Sequence, residues 1–242
     1  MPIRKTEFKK GKIYHVYSFG LNGKSIFANE NDKERFLQSI YLSNNSNSFR
    51  GVPELGKNRE NIPIDGVKNI LKSRKIKVSP LVSILSLCIM PNHLHLILKE
   101  DKKNGISGFM QKIGNSYGKY YSKKYGLKGS VFSGRFKAVQ IEKNEQLNYL
   151  FAYINAVNPA QLVEPYLKIK GVENFSLVWN SVENYKWSSH LDLMGIRSSL
   201  IIDKSLFLKT FGNPKNYNDF AKEVLLGKRN GIWGIIKNIS VD

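Results

Sequence analysis

The stretch from residue 81 to residue 99 constrains the fold more than any other. Residues 81–90 (LVSILSLCIM) form an unbroken apolar run, Pro91-Asn92 interrupts it, and residues 93–99 (HLHLILK) resume it. Apolar runs of this length, bounded by turn residues, read as buried strands. A tight turn between them makes the pair antiparallel. On the second strand His93 and His95 stand at i and i+2, so both imidazoles leave one face while Leu94 enters the core on the other. Two convergent imidazoles need a carboxylate, amide or water beside them to hold a divalent metal. The spacing alone fits a metal pair and a solvated strand face equally well. The chain has only four histidines, and two of them are here.

Other segments supply the partners such a hairpin needs. Residues 12–21 alternate and are rich in β-formers, predicting a strand that turns at Asn22-Gly23. Asn31 or Asp32 is expected to cap a helix whose Phe36, Ile40 and Tyr41 share a face. Residues 44–79 are polar and broken by Gly and Pro, and read as a variable insertion with a helical patch at 67–71. Residues 106–125 predict a long helix, with Phe109, Ile113, Tyr117, Tyr120 and Tyr121 at helical spacing and Gly126 and Gly129 ending it. A short strand at 136–141 follows. Asn144 is expected to cap a helix that Asn158-Pro159 stops. Residues 203–211 and 217–226 read as small amphipathic helices. The order predicts an α+β domain with a central antiparallel sheet and helices on one face.

Charge points to the partner. The formal net charge is +19 and the pI about 9.8. Self-repulsion of that size is relieved by a polyanion, nucleic acid first and an anionic membrane surface second. No apolar run of about 18 residues exists, so no membrane span is expected. The basic N-terminus lacks the apolar stretch of a signal peptide, and the single cysteine, Cys88, excludes a disulfide framework. A cytoplasmic protein fits. Between residues 112 and 143 the cations Lys112, Lys119, Lys123, Lys124, Lys128, Arg135, Lys137 and Lys143 face one acid, Glu142. Tyr117, Tyr120, Tyr121, Tyr125, Phe132 and Phe136 are interleaved with them. Cations hold phosphates and flat rings stack on unpaired bases, so this region is the expected nucleic-acid surface. Arg4, Lys5, Lys9, Lys10 and Lys12 form a further basic arm.

Several blocks share a family likeness. Residues 88–98 (CIMPNHLHLIL) resemble the histidine–hydrophobic–histidine motif of the single-tyrosine transposases, especially the IS200-like group and its relatives associated with repetitive extragenic palindromes. Residues 13–16 (IYHV), 23–27 (GKSIF), 129–137 (GSVFSGRFK), Tyr153-Ile154 with Asn158-Pro159, and 185–189 (YKWSS) resemble further family blocks, in the family's order. The resemblance runs from about residue 10 to 195, apart from the insertion. It implies a ferredoxin-like sandwich, with a catalytic domain over residues 1–165 and a mostly helical extension over 166–242.

The resemblance also assigns roles. The family's nucleophile lies on the helix after the last core strand, which here is Tyr153. Spacing alone would read Tyr149, Tyr153 and Val157 as packing. Tyr117, Tyr120 and Tyr121 are read as packing or base-stacking residues. In the family a Gln or Asn four residues beyond the tyrosine completes the metal site with the two histidines. Here that position is Val157, which cannot bind a hard cation. Asn158 comes one residue later and, in an ideal helix, points roughly 140° from Tyr153. A one-residue π-bulge before Pro159 would restore the register. Asn155, the other nearby amide, is expected to project away from Tyr153. The implied chemistry is cleavage and rejoining of single-stranded, hairpin-associated DNA through a 5′-phosphotyrosine, with Mg²⁺ or Mn²⁺ on His93, His95 and Asn158. Autonomously transposing members pair as homodimers, whereas domesticated ones act as monomers. The competing readings are a DNA-binding relative without catalysis and an RNA-binding protein on the same scaffold.

Overall fold

The computed structural model describes residues 7–47 and 62–227; Arg4 and Lys5 of the basic arm and the middle of the insertion lie outside them. Four strands, β1 (Ile13–Phe19), β2 (Val82–Ile89), β3 (His93–Glu100) and β4 (Lys137–Ile141), form one antiparallel sheet in the order β2-β3-β1-β4. Helix α1 (Glu30–Ser43) and the shorter α2 (Ile64–Ser73) separate β1 from β2, and α3 (Gly105–Tyr125) separates β3 from β4. This βαββαβ connectivity with its central β3-β1 pair is ferredoxin-like. The helix α4 (Asn144–Ala152) follows, then a π turn (Tyr153–Val157), α5 (Asn158–Ala160), α6 (Leu167–Lys170), α7 (Phe175–Asn184), α8 (His190–Leu193), α9 (Ser205–Phe211) and α10 (Pro214–Leu225). Among the described residues no helix is long and apolar enough to cross a membrane.

Helices cover both faces of the sheet, not one as expected. Alternation along the strands builds two cores. Tyr14, Val16, Leu94, Leu96 and Leu98 pack with Phe36 and Ile40 of α1 and Phe109 and Ile113 of α3. Cys88, Ile97 and Ile141 pack on the other side with Leu150, Phe151 and Ile154, joined there by Val178, Phe207, Phe211 and Tyr217. Burying one such side chain contributes roughly 1.5–3 kcal/mol, so the late helices are integral to that second core.

Local chemistry fixes the ends. Asn29, rather than Asn31 or Asp32, caps α1, accepting from the Asp32 N–H at 3.0 Å. The buried Glu100 carboxylate accepts from the Gly105 and Ile106 N–H groups and so caps α3. The Gln146 side chain, rather than Asn144, takes the Lys143 N–H at the start of α4. β2 is an edge strand, and residues 185–189 cover its exposed side: Ile89 N–H donates to Trp187 O and Ser189 N–H to Leu87 O.

Candidate active site

His93 and His95 project from β3 onto the sheet face that carries α4 and the π turn. Their rings lie edge to face with centroids 5.0 Å apart, and Leu94 is buried in the opposite core. Across the β1 ladder Phe19 stands opposite His93 and Tyr17 opposite His95, so β1 contributes aromatic walls. His93 is half-buried and His95 fully buried.

Hydrogen bonds hold both imidazoles by Nδ1. His93 Nδ1 lies 2.7 Å from Asn92 Oδ1, an acceptor, so Nδ1 carries the proton and Nε2 the lone pair. His95 Nδ1 lies 2.9 Å from Nε2 of the buried His15, and His95 Nε2 is buried with no hydrogen-bond partner among the described residues. Burial first, then the neighbouring His15, His93 and Lys168, hold the His95 pKa well below the ordinary 6.5. A neutral imidazole with an uncommitted ring nitrogen is the form that ligates metal.

Tyr153 reaches this pair from above. Its ring meets His95 edge-on, with centroids 6.0 Å apart and planes at 88°. The backbone explains its register with Asn158. Pro159 has no N–H to give to the Asn155 carbonyl, and its ring would collide with that carbonyl in a regular helix. The chain opens into a π turn over Tyr153–Val157, and the Asn158 N–H donates to Tyr153 O, five residues back. Asn158 therefore stands one full turn from Tyr153, which the α-helical spacing would not allow. Its side chain is buried; among the described residues Oδ1 accepts only a 3.3 Å bond from Gln161, and Nδ2 has no partner. Turning the terminal amide over would present Oδ1 at that unsatisfied position and Nδ2 toward Gln161. An orphaned imidazole nitrogen and a poorly satisfied buried amide are each donors that fit a hard divalent cation better than a closed core.

Asn155 points to β2 and to Ser189. It is fully buried and committed to the fold: Nδ2 donates to Ser86 Oγ and Phe151 O, and Oδ1 accepts from Ser189 Oγ. One residue escaped sequence reasoning. Lys168, on α6, donates from Nζ to Tyr153 Oη at 2.8 Å, with Nζ 4.8 Å from the ring centroid. No local pattern distinguishes it from the other lysines.

The expected DNA surface divides. Lys137 is exposed, lies opposite Tyr17 on the site face, and holds Nζ 5.8 and 6.0 Å from the Tyr17 and Phe19 rings. Arg135, two residues earlier, lines a cleft of about 520 Å³ on the other side of the sheet, between α3 and residues 132–136. Lys112, Lys119, Lys123, Lys124 and Lys128 are exposed on or just beyond α3, across the sheet from the histidines. Lys112 donates to Asn45 O, and Lys124 pairs with Asp32 at 2.7 Å. Tyr117 is fully buried, with its hydroxyl donating to Ile26 O, so it has no surface on which a base could stack. Its expected DNA role is withdrawn. Tyr121 lies against Tyr125 at 4.5 Å and donates to Ser25 O.

Residues 55–157 match the family model described as "Transposase IS200 like". A comparison with curated proteins returns no match. Among solved structures, the REP-associated tyrosine transposase bound to a REP hairpin aligns over 85% of this chain and 96% of its own, with 14% identity and a TM-score of 0.47.

Proposed function

From the IS200-like transposase sequence carried by residues 55–157, we propose that this protein cleaves and rejoins single-stranded DNA at hairpins, with Tyr153 as the nucleophile. The observation that carries the reading is the meeting of Tyr153 with His95 on one sheet face, with a π turn bringing Asn158 one turn beyond. A buried tyrosine beside a histidine with an uncommitted nitrogen is costly as core packing and useful as a site.

His93, His95 and Asn158 would hold a divalent cation, Mg²⁺ or Mn²⁺, which when bound supplies charge neutralisation at the scissile phosphate. The chain's own residues do the rest. His15 and Asn92 fix the ring orientation of the two histidines. Lys137 offers a cation to the DNA backbone at the rim of this face. Tyr153 Oη attacks phosphorus; the Oη–P bond forms, the P–O3′ bond breaks, and the phenolic proton ends on the leaving 3′-oxygen by way of solvent. The products are a 5′-phosphotyrosine and a 3′-OH. Attack by another 3′-OH reverses the step, so joining requires no nucleotide cofactor.

The hairpin substrate follows the sequence resemblance, and the net charge of +19 supports a polyanionic partner. The test is incubation of labelled single-stranded hairpin DNA and Mn²⁺ with the wild type and Tyr153→Phe. A covalent adduct in the wild type alone supports the reading; binding without adduct in both contradicts it.

A further inference from the structure

We infer that Lys168 is a positioning residue for the strand-cleavage step, holding the Tyr153 hydroxyl and stabilising the charge that builds on Oη as it attacks and as it later leaves. The inference rests on the function proposed above. An ammonium can only donate, so the 2.8 Å contact makes the phenol oxygen the acceptor and turns the hydroxyl proton away from Lys168. The same cation lies over the ring at 4.8 Å, so it constrains the phenol by charge and by position. Tyr149 stacks on Tyr153 at 5.9 Å and His95 meets it edge-on, and Lys168 brings a charged donor to Oη.

The placement of Lys168 in the chain is unusual for a packing contact. α6 is a four-residue helix between turns, and only Leu167 in it is buried. Its neighbours Tyr166 and Ile169 are 64% and 85% exposed, so the element is anchored by Leu167 and by the Lys168–Tyr153 bond, not by a broad apolar face. A half-buried ammonium aimed at a fully buried phenol is what charge stabilisation at Oη requires. In the forward step the phenolic proton leaves for solvent, and Lys168 keeps its proton throughout. In the reverse step Oη leaves phosphorus as a phenolate, and the same hydrogen bond receives it.

The experiment follows covalent adduct formation under single turnover, with full-length protein, Mn²⁺ and labelled single-stranded hairpin DNA, for wild type, Lys168→Met, Lys168→Arg and Tyr153→Phe. Melting temperatures of all four proteins establish that each is folded. We expect Lys168→Met to lower the saturating rate by about 30-fold or more, with the half-saturating DNA concentration unchanged within about twofold. Lys168→Arg should recover most of the rate, because it restores a charged donor. A saturating rate equal to wild type in Lys168→Met overturns the inference and leaves Tyr153 chemistry intact. So does an effect confined to half-saturation, which makes Lys168 a DNA-binding group, and so does an Arg variant as slow as Met. Absence of adduct in the wild type overturns the function itself and the role of Lys168 with it.

Discussion

Replacing Asn155 with alanine should unfold the protein far more readily than replacing Asn158, although the two amides sit three residues apart and both are fully buried. Asn155 makes three short bonds: 2.7 Å to Ser86 Oγ, 2.8 Å to Phe151 O, and 2.7 Å from Ser189 Oγ. Ser189 Oγ in turn accepts from the Leu87 N–H and lies 3.0 Å from Ser86 Oγ. The amide therefore ties the π turn to β2 and to the block that covers its edge. At about 1 kcal/mol net per bond, its loss costs roughly 3 kcal/mol, with a small cavity adding to that. Among the described residues the Asn158 side chain has one 3.3 Å bond and a buried Nδ2 without a partner. Its truncation removes an unsatisfied group, so stability should change by less than about 1 kcal/mol or rise. Urea unfolding followed by circular dichroism measures both. With m near ~3 kcal/mol/M, Asn155→Ala should lower the midpoint by about 1 M and Asn158→Ala should barely move it. Equal losses in the two variants would refute the division of labour between a structural amide and a ligating one.

Further predictions concern the metal, pH and salt. Asn158→Ala should weaken Mn²⁺ binding, read by titration calorimetry without DNA, by about tenfold or more; His15→Gln, which disturbs the support of His95, should weaken it by roughly 10–100-fold. Burial under Trp179 and Tyr217 holds the His190 pKa down at about 4 against an ordinary 6.5. The unfolded chain takes up this proton and the folded one does not, so the contribution is fully present above about pH 6.5 and is lost as pH falls toward 4, in all ~3 kcal/mol. His190→Gln should flatten that part of the stability profile, and an unchanged slope would remove His190 as its cause. Lys137→Ala should reduce the slope of log affinity against log salt for single-stranded DNA by about 0.7, the value of one phosphate contact, and an unchanged slope would take Lys137 out of the interface.

Much of this architecture is legible in the sequence because it depends on local signals. Strand alternation alone sends His93 and His95 to one face and Leu94 to the other, as the two cores bear out. Pro159 announces the break in helical bonding, and the π turn sits immediately before it. What escaped depends on distance along the chain. Lys168 meets Tyr153 from 15 residues further along the chain, and nothing near it separates it from the other cations. Tyr117 has the same helical spacing as the half-buried Tyr121 and the exposed Tyr125, and it is buried by rings from distant segments, Phe27, Phe36 and Phe132. Helices on both faces were missed because the apolar positions of residues 203–226 do not say against which surface they pack. They close over α4 and share its core.

The central claim is that Tyr153 attacks the phosphate. Peptide mapping by mass spectrometry, after wild-type protein has reacted with labelled hairpin DNA and Mn²⁺ and the DNA has been digested, locates the covalent link directly. A nucleotide joined through its 5′-phosphate to the Tyr153 peptide is the predicted result. A link to Tyr149 or to any other residue, with Tyr153 unmodified, would contradict it.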